Sequence, residues 1–332
     1  MRNFLEIFIQ GKNVTEEISA DVLSFTYTDN SHGEADDISL ELKDEKAKYL
    51  TQWTPTLGDK IQAIITMNDG SQLDCGMFKL DDFTCSGPPT KVAFNAVSVP
   101  NTKSIRQTKN TKAWQDVKLQ KIAEDTAQKA ELKLTYATEI NPDYDRIDQR
   151  QETDLAFLKR VCEDEGLSLK ITSDQIVVFD RWEQEKKAPL NEISRLGGTV
   201  LAWSASMQNN DTASQTTVKY TDPKTGKTQK AEAGNKDETG NEQKIKKRVK
   251  SKEQAERLAK AKQKEKQANE FTFTISVIGD VFYRAGNTVT IKDFGKFDGT
   301  YYIKKVTHKF APYTCELELS KNVSEVRKDN KN

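Results

Sequence analysis

Glu152-Thr153-Asp154-Leu155-Ala156-Phe157-Leu158-Lys159-Arg160-Val161-Cys162-Glu163-Asp164-Glu165-Gly166 carries a start, an apolar stripe and a stop for one helix. Thr153 or Asp154 can accept hydrogen bonds from the free amides of the first turn, and acids there complement the helix dipole. Leu155, Leu158, Val161 and Cys162 recur at helical spacing, and Gly166 supplies the left-handed exit. Immediately beyond, Leu167, Leu169 and Ile171 alternate, Ser173-Asp174-Gln175 turns, and Ile176 to Phe179 reads as a returning strand. A helix followed by a hairpin at mid-chain predicts a compact α/β module with further structure on either side.

Upstream, Trp114, Val117, Ile122, Ala123, Ala127 and Ala130 form one face of a helix predicted from about Thr111 to near Glu131. Leu132, Leu134 and Tyr136 alternate as a strand, and the loop Asn141-Pro142-Asp143-Tyr144-Asp145 leads into the quoted helix. The module therefore reads helix, strand, helix, hairpin, ending near Asp180. Before it, Leu5, Ile7 and Ile9 alternate, Gly11-Lys12-Asn13 turns, Val22 to Thr28 follows, and Ile38, Leu40 and Leu42 alternate again. Ile61 to Met67, Cys75 to Phe83 and Val92 to Val97 continue the series. About six or seven short strands with Gly, Pro and Asp punctuation indicate a barrel or sandwich.

Downstream, Arg181 to Pro189 reads as a polar bridge, and Thr199 to Met207 and Thr216 to Tyr220 as strands. Asp222-Pro223-Lys224-Thr225-Gly226-Lys227 suits a hairpin tip, and residues 230–245 a mobile loop. The capping box Ser251-Lys252-Glu253-Gln254 opens a Lys- and Ala-rich helix running to about Ala268. Phe271 to Ile278, Thr288 to Ile291, Tyr301 to Val306 and Tyr313 to Leu319 return to strands. The order is thus β, α/β, β.

At 332 residues the chain has room for two or three domains, yet its apolar fraction is only 35% against 31% charged. Such a chain folds as small domains with much surface or as part of an assembly. Lys plus Arg and Asp plus Glu both number 51, so no global charge points to nucleic acid or acidic lipid. Cys75, Cys85, Cys162 and Cys315 form no CxxC pair and read as buried free thiols of a reducing cytoplasm. The first residues have Glu6 inside a very short apolar run, which is not a signal peptide, and no stretch approaches a membrane span.

Candidate chemistry is sparse. The only histidines, His32 and His308, lie beside no nucleophile motif and read as structural or surface residues. Asp36-Asp37 and Asp81-Asp82 cannot by themselves flank one sugar, because adjacent strand residues point to opposite faces. Asn141 to Arg146 with Glu152 places oxygen ligands at calcium-loop spacing, but Arg146 stands where that loop needs glycine. The basic run Lys244 to Lys266 lacks aromatic residues and reads as a solvated face, or one facing an acidic neighbour, in preference to a nucleic-acid site. No GxxxxGK[ST], GxGxxG or HExxH occurs.

These residues resemble a known family, the late-control D or baseplate hub proteins of contractile phage tails, relatives of the hub part of VgrG spike proteins. Gln149 to Arg160 with Glu165-Gly166-Leu167 carries the most specific match. Gly279-Asp280-Val281-Phe282-Tyr283-Arg284-Ala285-Gly286-Asn287-Thr288-Val289, Phe297 to Ile303 and Val306-Thr307-His308 carry a second. Ala35 to Leu40, Trp53-Thr54-Pro55 and Gly76 to Asp81 look like the version in tails that infect Gram-positive hosts. The resemblance implies an α+β fold of two β-barrel domains, residues 1–105 and 191–332, flanking a small α/β module at 106–190. The second barrel carries a Lys-rich loop and helix at about 222–268. It further implies a homotrimeric ring in the baseplate of a virion or phage-tail-like particle, assembled in the bacterial cytoplasm. That ring joins the tail tube protein to a central spike or puncturing protein, touches other baseplate proteins and continues the channel. No catalytic, cofactor-binding or metal residue is expected, and no cofactor, nucleic-acid sequence recognition or membrane span. A peptidoglycan-degrading tail enzyme using Asp/Glu pairs is the alternative, and a receptor-binding adhesin a third class.

Overall fold

A computed structural model describes residues 4–98, 105, 108–208, 215–221, 228–234, 242–245, 249, 251–310 and 312–322. Thirteen strands form one hydrogen-bonded sheet. Its amino-terminal share is Phe4–Ile9, Lys12–Asn13, Val22–Asn30, Asp37–Lys43, Lys60–Thr66, Gln72–Ser86 and Lys91–Val97. Asn191–Ser194, Val200–Met207, Phe271–Ile278, Thr288–Lys292, Gly299–Phe310 and Thr314–Lys321 supply the rest. The halves meet where Val22–Asn30 pairs antiparallel with Gly299–Phe310, Asn30 opposite Lys305 through Phe25 opposite Phe310. The first part of that long strand pairs instead with Thr288–Lys292, and a register shift between Ile303 and Lys305 lies at the changeover.

Alternation explains the core. Phe25, Ile38, Leu40, Phe94, Phe273, Ile275, Leu317 and their strand neighbours face one side and are buried in a single apolar cluster drawn from both ends of the chain. The fold is α+β and mostly β, as expected. The two β regions are not separately closed barrels, however. Among the described residues the strand path runs from Val200–Met207 to Lys12–Asn13 with no pairing that closes a ring. Pairing between strands about 280 residues apart leaves no local periodicity to read.

The middle of the chain departs more from expectation. Lys109–Lys118 is a strand antiparallel to Asp143–Thr153, and the helix begins only at Leu119, ending at Lys129. Trp114 and Val117 therefore sit on a strand. Their spacing of three imitates a helix, but Asp116 has a φ of 46°, which no right-handed helix accommodates. The supposed loop at Asp143 to Asp145 is likewise strand. Asp154–Asp164 is the helix read from the sequence, with Thr153 Oγ1 accepting from the Ala156 amide at 3.2 Å. Phe157, Leu158, Val161 and Cys162 are buried, whereas Leu155 is only half-buried. Gly166 has a φ of 76°, and a Cβ there would come within 2.9 Å of the Ala261 Cβ, so glycine serves both the exit and a close helix approach. Ser168–Ile171 and Gln175–Phe179 form the predicted hairpin, and Lys133–Ala137 joins it in parallel. This module has its own core, in which Trp114 stacks on Phe157 at 6.1 Å.

A third apolar cluster lies under Lys252–Glu270, the helix capped by Ser251. Gln215–Thr221 pairs with Thr228–Gly234 and Glu242–Ile245, so residues 230–234 and 242–245, expected in a mobile loop, are strands. The expected hairpin tip at 222–227 lies outside the described residues. The polar bridge holds a short helix, Arg181–Gln184, whose first residue is buried. Cys75, Cys162 and Cys315 are buried as expected, but Cys85 is exposed.

Candidate assembly surface

Burying Phe273, Ile275 and Val277 turns Thr272, Thr274 and Ser276 outward, and strand pairing carries that outward face across eight neighbours. They are Val200–Met207, Phe271–Ile278, Thr314–Lys321, Gly299–Phe310, Val22–Asn30, Asp37–Lys43, Lys91–Val97 and the second half of Gln72–Ser86. One row across this wall reads Ala202, Ser276, Glu316, Thr307, Thr28, Asp37 and Val97. The next reads Thr314, Lys309, Thr26, Ser39, Asn95 and Asp82. Its residues are mostly small and polar, and many of its charges cancel in pairs. Lys305 bonds Glu318, Lys309 bonds Glu316, and Lys91 Nζ lies 3.3 Å from Glu41 Oε1. Exposed pairs of this kind stabilise a fold by only about 0–1 kcal/mol, so their main effect is on the potential of the face.

Both ends of the wall are bare. Val200–Met207 pairs only with Phe271–Ile278 and contains no charged residue. Leu201, Trp203 and Met207 are 55%, 49% and 55% exposed, although Trp203 stacks on Phe273 at 5.9 Å and meets Phe294 edge-on at 5.2 Å. The core face thus continues onto this strand and then lacks cover. At the other end Gln72–Ser86 pairs with Lys60–Thr66 only as far as Lys79, and residues 82–86 pair with Lys91–Val97 alone.

Polar joints tie the other parts to the sheet. The Lys170 ammonium, on the module's hairpin, lies 2.6 Å from Asp29 Oδ1, 3.2 Å from Asp36 Oδ2 and 2.8 Å from the Asn30 carbonyl. Burial alone would lower the Lys170 pKa, but the two carboxylates overcome it and hold it above the usual lysine value. One cation cannot satisfy two acids, and burial pushes the Asp36 carboxyl up despite Lys170. The Gly33 amide donates to the Leu169 carbonyl at 3.1 Å, and Lys159 Nζ to the Gly33 carbonyl at 3.0 Å. Buried Glu165 accepts from Tyr144 Oη at 2.8 Å, Gln254 Nε2 at 2.9 Å and Arg257 Nε at 2.9 Å, tying the module to the long helix. Arg181 donates to Ser320 Oγ at 2.8 Å and lies over the Tyr302 ring at 4.7 Å. A cleft of about 130 Å³ opens where these parts converge, lined by His32, Lys159, Glu163, Arg181, Trp182 and Lys262 among others.

The candidates for chemistry are scattered or consumed. His308 is fully buried, with Nδ1 3.0 Å from Tyr313 Oη and Nε2 3.1 Å from the Tyr283 carbonyl. Strand pairing also sets Cys315 Sγ 3.2 Å from His308 Nδ1, a couple that local sequence reading missed because the register lies across a turn. A reactive pair needs thiolate and imidazolium. Here burial pushes the thiol up to about 12 and the imidazole down to about 4, so both are neutral at pH 7. Burial, then Arg181, also lowers His32 to about 4. Asp36 meets Asp29 and not Asp37, and neither lines the cleft. Asp82 accepts from Asn95 on the wall, while Asp81 is exposed. Of the calcium-loop candidates, Asn141 Oδ1 accepts from the Gln120 amide and Glu152 is held by Arg160. Among the described residues no three or more His, Cys, Asp or Glu gather as a metal site, and no helix is long and apolar enough to cross a membrane. On the basic helix, Lys252 pairs with Glu256, Lys262 with Glu265, and Arg257 with Glu165, which is the acidic neighbour the composition called for.

A family profile described as Phage tail baseplate hub (GPD) matches residues 70–313. The probable baseplate hub protein of Escherichia phage P2 is 26% identical over 200 residues, covering 58% of this chain and 50% of that protein. The chain spans about half the length of the curated relatives it matches. A tail protein from Neisseria meningitidis MC58 superposes with a TM-score of 0.75 over 97% of both chains at 14% identity. A tail protein of prophage MuSo2 from Shewanella oneidensis gives 0.73 over 96% of this chain and 98% of that one, also at 14% identity. At such identities the likeness concerns the fold.

Proposed function

The chain belongs to the phage tail baseplate hub family, and on that premise we propose that it forms a trimeric ring joining a tail tube to a central spike, with its polar wall facing the channel. The wall carries this reading. A surface eight strands wide, made of small polar side chains and paired opposite charges, suits a lining past which other molecules move without adhering. Division near residues 105 and 190 is part of the proposal: the outer thirds build the wall, and the α/β module rides outside it. The role is structural, in the baseplate of a virion or tail-like particle, with tube, spike and other baseplate proteins as partners. Native mass spectrometry of the full chain, alone and with the tube and spike proteins encoded beside it, tests the ring. A trimer is expected; monomer alone in every mixture would refute the reading.

A further inference from the structure

We propose that in the ring the Val200–Met207 edge of one copy pairs with residues 82–86 of the next, joining the polar walls into one continuous antiparallel lining. The proposal rests on the ring reading above and adds the seam. Both edges are open, and they are the two ends of the same wall. Every neighbouring pair across it is antiparallel, so with eight strands the first and last run in opposite directions. Rotation about a channel axis preserves strand direction, so the two edges meet antiparallel. An odd number would force a parallel seam into an otherwise antiparallel sheet.

The side chains agree with that pairing. Ala202, Ser204 and Ser206 share the wall face, as do Asp82, Thr84 and Ser86, which stand opposite Asn95, Ala93 and Lys91. Leu201, Trp203 and Met207 lie on the core side, as do Phe83 and Cys85. A seam therefore covers the bare apolar edge with apolar partners and leaves the lining polar. Free sheet edges are ordinarily guarded by charge, and Val200–Met207 has none, as befits a strand completed by association. Two different surfaces on one chain make a heterologous contact, which closes into a ring when the rotation permits. Three walls of eight strands at roughly 4.8 Å spacing give a circumference of about 115 Å before tilt, a bore of about 35 Å between backbones.

The exposed Cys85 makes the seam testable in the full chain, in the mixture that yields trimer. Single substitutions Leu201→Cys, Trp203→Cys and Ala205→Cys are oxidised and run on non-reducing gels. At least one should give covalent dimers and trimers, absent when Cys85→Ser is added, with 82–86 and 200–207 peptides cross-linked between copies. A native trimer with no Cys85-dependent link overturns the seam and leaves the ring standing, as does a link from these positions to tube or spike protein. Absence of any trimer removes ring and seam together. Trp203→Asp should shift trimer to monomer with an unchanged circular dichroism spectrum; a trimer that persists counts against the seam.

Discussion

The carboxy-terminal strands and the α/β module both come to rest on Val22–Asn30, by opposite means. Along its length this strand joins Gly299–Phe310 through a backbone ladder, and the side chains on either side merge into one apolar core. At its end Asp29 and Asn30, with Asp36 beyond, hold the Lys170 ammonium, and the two cores stay separate. Apolar burial at about 25 cal/mol per Å² accumulates over the whole first contact. An ion pair that had to be desolvated adds little net stability but specifies position. The wall is thus built as one body, and the module as an oriented attachment.

The strongest test of that contrast is Phe25→Ala, which should cost about 3–5 kcal/mol because the ring is fully buried at the junction. Thermal unfolding should remain one transition for both β regions; melting of one while the other persists would show that the shared core does not couple them. Lys170→Met leaves two carboxylates facing each other, at a cost of about 2–3 kcal/mol given partial solvent access. Hydrogen exchange should rise at residues 168–179 and stay unchanged in 271–278; equal rises would make the module part of the wall.

Acid provides a second distinction between the two joints. His308 is buried neutral with its pKa lowered to about 4, so the unfolded chain binds a proton first as pH falls below about 6.5. Its contribution is intact at neutral pH and is lost between about 6.5 and 4, amounting to about 2 kcal/mol. His308→Gln should flatten that part of a denaturant-stability profile. Asp36 acts in the opposite sense, since a raised carboxyl pKa makes the folded state take up the proton first and gain stability as pH falls. The smallest effect expected is from Thr153→Ala, about 1 kcal/mol from one lost cap, seen as faster exchange in the Asp154–Asp164 helix with the sheet unaffected.

What the sequence determined alone was local. The Thr153 cap, the Gly166 exit, the following hairpin and most strands follow from hydrogen-bonding capacity and apolar period, which neighbours in the chain decide. Even there Asp116 turned a helical spacing into a strand, because a positive φ overrides a stripe. The ordered motifs were enough to suggest the family. The assembly surface was not legible, because it depends on which strands lie side by side. Tertiary structure alone aligned Ala202 with Asp37, set Cys85 and Trp203 at opposite ends of one wall, and brought Asp29 and Asp36 to Lys170 from across the chain. Strand pairing and ion pairing join residues far apart in sequence, and no local pattern records the partner.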